Sequence, residues 1–364
     1  DWIGSNTDWF EPRPFAEPLA DYLVRVRERA EIAVTEAGLS GVKNLDDPLF
    51  DFTLRPMQAA CRDIELPAQG PVLAIIEEET GAGKTEAALI LAQRMVNAGK
   101  GRGLYLALPT MATADAMFGR AAKSVGGIFA NASLTLAHGR AALSEQFRNL
   151  IVKVDNERRD GDEPGCTEWL AESRRRALLA DVGVGTIDQA LMAVLPVKHQ
   201  TLRHFGLSSK ILIVDEAHEM NESYMAEELV ALLAMHRAAG GSAILLTATL
   251  PLDLRRRLLA TYNGTSESNA YPALTIAGGS AVTSFLADPR PVKGSVEVKR
   301  LATSNDALDL IVDNAAKGAA CVWVRNAIDD AIAAVAALRE KRIPARLLHA
   351  RYALNDRKRI EAEM

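Results

Sequence analysis

The apolar positions of this chain change their period along its length, and each change marks a different kind of element. Residues 17–38 repeat apolar side chains at helical spacing and stop at Gly38, which predicts an amphipathic helix. From residue 71 onward, continuous apolar runs alternate with helical patterns. Because parallel strands are covered on both faces, they form such runs, so the alternation predicts βαβ units in an α/β fold. The predicted strands are 72–77, 103–108, 133–137, 182–186, 210–215 and 242–247, and the predicted helices are 84–98, 110–124, 186–195, 223–238 and 251–261.

Breaks in this alternation predict the domain organisation. Residues 1–15 are rich in aromatic residues and proline, as in the tail of a preceding domain, and residues 16–60 predict a helical linker. Residues 61–285 hold the first alternation and predict one complete domain with a parallel sheet. A polar, charged stretch at 139–180 predicts an insertion between its strands, with a surface loop at 156–165.

A second, shorter alternation occupies residues 286–364. The tract 263–293 shows little regular pattern and predicts the border between the two. The second alternation predicts one helix, 326–341, and three strands, 295–301, 319–324 and 345–349. Three strands are too few for a complete α/β domain, and the sequence opens on Asp1 and stops inside a helical pattern. We therefore expect a fragment of a longer protein.

Composition narrows the function classes. Of the 364 residues, 48% are hydrophobic, which is enough for sizeable cores. The net charge of −5 gives no bulk basic surface, although a protein that grips a nucleic-acid strand through amides and hydroxyls needs none. No run of about 18 apolar residues occurs, so no membrane span is expected. The cysteines Cys61, Cys166 and Cys321 are far apart and predict thiols in a reducing cytoplasm.

The candidate chemistry begins where the first predicted strand ends. The apolar run breaks into a glycine-rich loop, Thr80-Gly81-Ala82-Gly83-Lys84-Thr85, which leads into a helix. The glycines let backbone amides turn toward a phosphate, Lys84 is placed to reach the β- and γ-phosphates, and the Thr85 hydroxyl is placed to bind Mg²⁺. The pattern predicts a phosphate-binding loop, with an ordinary strand–loop–helix turn as the alternative.

This loop departs from the full pattern at its first position. The pattern has glycine where this chain has Glu78, which is followed by Glu79. Carboxylates that point inward would repel a polyphosphate and weaken its binding, whereas carboxylates that point to solvent would change little.

A second group of candidates follows the predicted strand 210–215. Asp215-Glu216-Ala217-His218 comes at its carboxyl end, the edge where parallel sheets bind ligands. Asp215 suits a Mg²⁺ ligand through water, and Glu216 is placed to deprotonate the water that attacks the γ-phosphate. The next strand ends in Thr247-Ala248-Thr249, whose hydroxyls are candidates to hydrogen-bond His218. The structural alternatives are charges that only cap the sheet and β-branched residues that only favour strands.

In this order, the glycine loop, the Asp215 to His218 box and the Thr247 to Thr249 box resemble motifs I, II and III of a superfamily 2 DEAH-type helicase. Two further stretches, 108–118 and 184–207, resemble the helicase-nuclease that degrades target DNA in type I CRISPR interference. The resemblance implies a P-loop RecA-like parallel sheet with flanking helices, plus an incomplete second RecA-like domain. It also implies ATP and Mg²⁺ as cofactors.

The resemblance implies roles for residues outside these motifs. Gln58 matches a glutamine that recognises adenine, with a surface glutamine as the alternative. Pro109 with Thr110, and Gly185 with Thr186, match loops that contact the phosphates of a tracked DNA single strand, although plain helix caps have the same composition.

Asp1 matches the last motif of an HD nuclease domain, where the aspartate completes a transition-metal site. Its implied histidine and aspartate partners lie outside this sequence, so a metal role of Asp1 would belong to the parent protein. A simple turn residue is the alternative.

The implied parent protein is an ATP-dependent translocase on single-stranded DNA. It would be coupled to HD-domain DNA degradation and recruited by an RNA-guided CRISPR surveillance complex. The arginines of later helicase motifs are not in this sequence, and such contacts contribute about 10³–10⁵ in rate, so we expect weak ATP binding and poor hydrolysis. The alternatives are a general RNA or DNA helicase, a nucleotide-binding module without turnover, and a structural fragment that binds no nucleotide.

Overall fold

The computed structural model describes residues 2–12, 17–152, 164–173, 175–221, 223–278, 281–286 and 296–363. The chain divides into two compact units, residues 1–289 and 290–364, and each is described by itself. The four-part domain organisation stays a prediction. In the part of the chain that the structure describes, no helix is long and apolar enough to cross a lipid bilayer.

The described residues form helices and strands throughout the first unit and helices in the second. The helices are α1 Leu19–Glu36, α2 Pro56–Asp63, α3 Lys84–Asn97, α4 Met111–Val125, α5 Glu145–Leu150, α6 Glu168–Ala171, α7 Ile187–Leu191, α8 Gln200–Ser208, α9 Ser223–Ala238, α10 Leu252–Ala260, α11 Ser304–Ala316, α12 Ile328–Glu340 and α13 Leu354–Ala362. The strands are β1 Lys43–Asn44, β2 Leu73–Glu77, β3 Gly103–Leu108, β4 Phe129–Ala130, β5 Leu134–Ala137, β6 Ile151–Val152, β7 Cys166–Thr167, β8 Val182–Thr186, β9 Lys210–Val214, β10 Ala243–Thr247, β11 Ala273–Gly278 and β12 Ala281–Leu286. Short 3₁₀ helices are Ala141–Leu143, Arg176–Leu179 and Ala217–Asn221.

Eight strands form the main sheet, in the order β12-β11-β2-β10-β9-β3-β8-β5. The strands from β2 to β5 in this order run parallel to one another. Every residue of these six strands is buried, as expected when helices cover both faces. The predicted α/β fold with a mainly parallel sheet is confirmed, and each predicted strand of the first alternation lies within one residue of an observed one.

The two faces of the sheet carry separate cores. Along β2, Ala74 and Ile76 pack into the core that contains Phe118 of α4, whereas Leu73 and Ile75 pack into the opposite core with α9 and α10. Successive side chains of a strand point to opposite faces, which is why an unbroken apolar run serves both cores. The result is a three-layer arrangement of helices, sheet and helices.

The sequence prediction was wrong at one edge of the main sheet. The tract 263–293 was expected to have little regular structure, but it holds β11 and β12, and residues 279–280 and 287–293 lie outside the described residues. β11 pairs antiparallel with β2, and β12 pairs antiparallel with β11. Antiparallel strands need no crossover helix, so the βα rhythm gave no signal for them.

The second unit also differs from its prediction. Its described residues form α11, α12 and α13 and no strand, so the strands expected at 295–301, 319–324 and 345–349 are not formed in the described residues, which begin at 296. Val322 and Val324 are 80% and 81% exposed. Without neighbouring strands, the backbone groups of an apolar run have no ladder to join. That this unit belongs to a second RecA-like domain stays a prediction.

The insertion at 139–180 is only partly described. Its described residues form α5, β6, β7, α6 and two 3₁₀ turns rather than one long loop. Residues 153–163, which include most of the expected surface loop, lie outside the described residues.

Candidate nucleotide-binding site

A cavity of about 640 Å³ opens at the carboxyl edge of the sheet, where β2 and β9 end. This volume is within the range of small-molecule and cofactor sites. Two motif groups that are far apart in the sequence, the glycine loop and the Asp215 box, share this one cavity. Its lining residues are Phe52, Thr53, Arg55, Gln58, Thr80, Gly81, Gly83, Lys84, Thr85, Glu86, Arg120, Asp215 and Glu216.

The glycine loop turns at Gly81 and Gly83, whose φ angles are +76° and +89°. The positive φ of Gly83 favours glycine, and a Cβ there would lie 2.4 Å from Nε2 of Gln58, which would have to move. Gly83 also caps the 14-residue helix α3. The unpaired amides and the dipole at this helix start favour an anion at the cavity wall.

Lys84 is held inside this loop. Its residue is 7% exposed, and its Nζ donates a hydrogen bond to the carbonyl oxygen of Glu78 at 2.9 Å. The bond closes the loop from Glu78 to Lys84 on itself. An ammonium in this position is placed to exchange a neutral carbonyl for a charged phosphate oxygen, which makes the stronger hydrogen bond.

The two glutamates before the loop do not line the cavity. Glu78 is 1% exposed, and its Oε1 accepts a hydrogen bond from the amide of Glu79 at 3.1 Å. The side chain of Glu79 is exposed. Neither carboxylate therefore forms the wall where a phosphate would lie.

Gln58 and Arg55 tie the segment before α2 to the glycine loop. Gln58 is 2% exposed, its Oε1 accepts from the amide of Arg55 at 2.9 Å, and its Nε2 donates to the carbonyl of Gly83 at 3.3 Å. Nη1 of Arg55 donates to the carbonyl of Gly81 at 3.0 Å. Gln58 thus lines the cavity with its amide engaged by the backbone, and its role in recognising adenine stays a prediction.

Asp215 and Glu216 leave β9 in a strained turn. The amide of Asp215 donates to the carbonyl of Ala107 at 2.9 Å, and its Oδ1 accepts from the amide of Glu216 at 3.0 Å. Glu216 has a φ of +51°, which is uncommon outside glycine and typical of functional sites. Burial, and next the charge of Glu216, raise the pKa of Asp215, while the Glu216 amide, Lys84 and Arg120 oppose that shift.

The residues present fit a Mg²⁺ ion. The Asp215 carboxylate and the Thr85 hydroxyl line the same cavity, and both are the oxygen ligands that Mg²⁺ prefers. Oε2 of Glu216 is buried and makes no hydrogen bond within the described residues, which leaves it as an acceptor for a water molecule.

His218 connects the acidic box to β10. Its Nδ1 lies 3.2 Å from Oγ1 of Thr247 and 3.4 Å from Oε2 of Glu216. The Thr247 hydroxyl donates its one hydrogen to the carbonyl of Thr249 at 3.0 Å, so it accepts from His218, whose Nδ1 carries the proton. Thr249 takes part through its carbonyl, whereas its hydroxyl was the predicted contact. Hydrogen bonds therefore join His218, Thr247 and Thr249 at the end of β10, and the Glu216 carboxylate lies beside this set without a hydrogen bond to it.

The residues predicted to contact DNA lie at the carboxyl ends of β3 and β8. These strands are neighbours, with Leu108 paired to Thr186. Pro109 and Thr110 follow β3, and the exposed Thr110 caps α4 by accepting from the amide of Thr113 at 3.1 Å.

Gly185 and Thr186 are buried, unlike Thr110. A Cβ on Gly185 would lie 2.4 Å from the carbonyl oxygen of Ala137 and 2.5 Å from the hydroxyl of Tyr105. Packing alone therefore requires glycine at this position. The role of all four candidates in DNA binding stays a prediction.

The predicted nuclease metal falls outside the observed site. Asp1 lies outside the described residues. Within the described ranges, no group of three or more histidine, cysteine, aspartate or glutamate side chains is arranged to hold a metal ion.

Sequence reasoning missed two arginines at this edge. Arg120 of α4 lines the cavity, and its Nη2 lies 2.5 Å from Oε1 of Glu86.

Arg255 of α10 is 3% exposed and binds Oε2 of Glu77 at 3.0 Å and the carbonyl of Ser268. Glu77 ends β2, so this buried pair fixes the strand from which the loop leaves; burial raises the pKa of Glu77, and Arg255 opposes that rise. Arg120 and Arg255 lie 34 and 178 positions from their carboxylate partners in the sequence, so no local sequence pattern predicts these pairs.

The cavity lies within a region that matches a known family. Residues 55–257 match the family model described as DEAD/DEAH box helicase, and the chain belongs to that family. Within it, the chain is similar to a CRISPR-associated endonuclease/helicase. The Cas3 protein of Escherichia coli (strain K12) is 33% identical over 389 residues, which cover 99% of this chain and 43% of that protein.

Solved structures give the same result. The crystal structure of T. fusca Cas3-AMPPNP superposes with a TM-score of 0.83 at 28% identity, covering 100% of this chain and 44% of that one. A structure of a CRISPR RNA-guided surveillance complex, pre-nicking, contains a chain with a TM-score of 0.69 at 26% identity, covering 100% of this chain and 41% of that one. This chain thus spans less than half the length of these relatives. The resemblance to the CRISPR helicase-nuclease is confirmed.

Proposed function

We propose that this chain is the ATP-hydrolysing motor of a helicase-nuclease that translocates along single-stranded DNA in CRISPR interference. The observation that carries the proposal is the convergence of Lys84, Thr85, Asp215 and Glu216 on one cavity. A phosphate-binding lysine, two hard oxygen ligands and a general base are the groups that phosphoryl transfer to water requires.

ATP would lie with its base toward Phe52 and Gln58 and its phosphates at the glycine loop. Phe52 is 45% exposed and stacks on Phe50 with ring centroids 5.0 Å apart, which offers a flat apolar surface to a base. The α3 amides and Lys84 would hold the β- and γ-phosphates. Mg²⁺, when bound beside Asp215 and Thr85, neutralises phosphate charge.

Glu216 would perform the proton transfer. Its buried Oε2 accepts the proton of a water whose oxygen attacks the γ-phosphorus, and the bonding electrons leave with ADP. The change at Glu216 would reach β10 through His218 and Thr247, which are 3.2 Å apart. Such a contact gives the nucleotide state a route to the rest of the domain.

The DNA strand would lie across the carboxyl ends of β3 and β8. The exposed helix start at Thr110 offers backbone amides to a phosphate, and the buried Gly185 would contribute through its backbone. Because phosphate contacts of this kind ignore base identity, they suit a motor that tracks any sequence.

The partners are proposed for the longer protein. We propose recruitment by an RNA-guided CRISPR surveillance complex, since a structure of such a complex contains a similar chain. DNA degradation would take place in an HD domain whose transition-metal site includes Asp1, and the protein would work in the cytoplasm. The isolated chain would bind ATP weakly and turn it over slowly.

The proposal is tested by phosphate release from ATP and Mg²⁺, with and without single-stranded DNA. We expect slow hydrolysis that DNA stimulates and that Glu216→Gln abolishes while nucleotide binding persists. Equal stimulation by single-stranded RNA would favour a general helicase instead. Nucleotide binding without any hydrolysis, in this chain and in a chain as long as its relatives, would favour a nucleotide-binding module.

A further inference from the structure

Arg120 is a cation of the cavity wall that the proposed reaction does not use. It lines the cavity together with Lys84 and Asp215. It belongs to α4, however, and not to the glycine loop or to α3. Its side chain is 53% exposed, so it borders the open part of the cavity.

The partner of Arg120 is Glu86, in the first turn of α3 and directly after Thr85. The ion pair joins Nη2 of the arginine to Oε1 of the glutamate at 2.5 Å. A guanidinium has five N–H donors, and within the described residues this bond occupies one of them. The remaining donors, in their planar fork, match a phosphate group better than a single lysine ammonium does.

The helix that carries Arg120 starts at the predicted strand-binding loop. Thr110 caps α4 and is exposed. At 1.5 Å per residue, about 15 Å of helix separates Thr110 from Arg120. Between them, Ala114, Met117 and Phe118 are buried against the sheet, so the helix is packed along its length. Thr110 and Arg120 therefore lie on one continuous helix, which would carry a displacement at its start to the side chains farther along it.

We propose that Arg120 binds the phosphates of the nucleotide and, through α4, couples nucleotide binding to single-strand binding at Pro109 and Thr110. This inference rests on the proposed function, because it requires both ligands. Thermodynamic coupling is reciprocal, so DNA would change the affinity for ATP by the same factor by which ATP changes the affinity for DNA.

The test measures the dissociation constant of a fluorescent ATP analogue with Mg²⁺, in the absence and presence of a short oligothymidine strand. We expect DNA to tighten nucleotide binding by the wild-type chain. Arg120→Gln is expected to weaken nucleotide binding about tenfold, the usual order for a charge-assisted hydrogen bond, and to bring the two constants together. Arg120→Lys keeps the positive charge but loses the planar set of N–H donors. Its nucleotide affinity is expected to lie between those of the wild type and Arg120→Gln.

Lys123→Gln is the matched control. Lys123 lies on the same helix, is exposed and does not line the cavity, and its substitution removes the same charge. We expect it to leave both constants unchanged. Circular dichroism of each variant checks that α4 remains folded.

Three results would overturn the inference, and they separate it from the proposed function. If Arg120→Gln keeps the wild-type affinity and the wild-type effect of DNA, Arg120 has no such role. If DNA leaves nucleotide affinity unchanged in the wild type, the coupling is absent while the ATP site stands. If the wild type binds no nucleotide analogue at all, the proposed function fails first and this inference with it.

Discussion

The two edges of the sheet in residues 1–289 both bury ionisable side chains, but they use them differently. At the carboxyl edge, Lys84 and Asp215 line an open cavity. At the amino edge, Lys210 donates to the carbonyls of Leu178, at 2.8 Å, and of Gly206, and Nε2 of His236 bonds the carbonyl of Ser242 at 3.0 Å. The first edge leaves charged side chains at an open cavity, whereas the second uses them to satisfy the protein's own backbone.

The comparison of the two lysines shows that burial alone does not identify a functional residue. Lys84 and Lys210 are 7% and 3% exposed, and both bond backbone carbonyls. The loop around Lys84 also presents a helix start and positive-φ glycines, where a phosphate has further donors to bind. Lys210 contacts the ends of two helical segments, and burial lowers its pKa to about 8.

The largest expected effect is on ATP hydrolysis, and it tests the contrast between Lys84 and Lys210. Lys84→Ala removes the ammonium from the phosphate loop, so hydrolysis of ATP is expected to fall by about 10²–10³, the usual loss for one transition-state donor. Phosphate release and nucleotide affinity measure it, and Lys123→Ala, a change of an exposed lysine outside the cavity, serves as the control. An unchanged nucleotide affinity in Lys84→Ala would contradict the phosphate-loop assignment.

At the amino edge, the expected effect is on stability and not on activity. Burial lowers the pKa of Lys210 from 10.5 to about 8, so the folded state releases this proton before the unfolded state does. Stability should therefore rise with pH, by about 3 kcal/mol in total between these two values. Lys210→Met keeps the apolar stem and cannot titrate, so it should lose this rise while nucleotide affinity at neutral pH is kept. Denaturant midpoints from pH 7 to 10.5 measure it; an identical rise in the variant would show that Lys210 is not its source.

His236 gives the corresponding effect at acid pH. Burial lowers its pKa from 6.5 to about 4. The unfolded state binds the proton first, so stability is full above pH 6.5 and is lost on acidification, by about 3 kcal/mol at pH 4. His236→Gln should remove this part of the acid sensitivity. Denaturant midpoints of the wild type and of His236→Gln between pH 4 and 7 measure it, and an identical loss in both chains would show that His236 is not its source.

The carboxyl edge was largely predictable from the sequence, and the amino edge was not. The residues around Lys84 are contiguous, because a phosphate loop needs glycines, lysine and hydroxyl at fixed spacing. Parallel strands bring their carboxyl ends to one edge, so the Asp215 box was expected beside them. Lys210 donates hydrogen bonds to the backbone carbonyls of Leu178 and Gly206. Every residue has a backbone carbonyl, so the side-chain sequence gives no sign of such partners.

The same limit explains the other surprises at the site. Arg255 and Glu77 meet only because α10 packs under the end of β2, and their separation of 178 positions hides the pair. Ala273 of β11 lies opposite Glu77, yet β11 extends the sheet antiparallel, outside the βα rhythm on which the prediction relied. The contiguous motif residues that line the cavity were visible in the sequence, whereas contacts made by tertiary packing were not.

The smallest expected effect concerns the cost of keeping a charge at the cavity. Burial raises the pKa of Asp215, so its ionised form destabilises the folded chain above that pKa, and the penalty fades as pH falls and the carboxyl is protonated in both states. Asp215→Asn should therefore raise Tm by a few degrees at neutral pH, with the gain shrinking toward acid pH, while hydrolysis is lost. Thermal unfolding of both chains across pH 4 to 8 measures it. A gain that is the same at every pH would mean that packing, and not charge, sets the difference; no gain would mean that Lys84 and Arg120 already offset the burial.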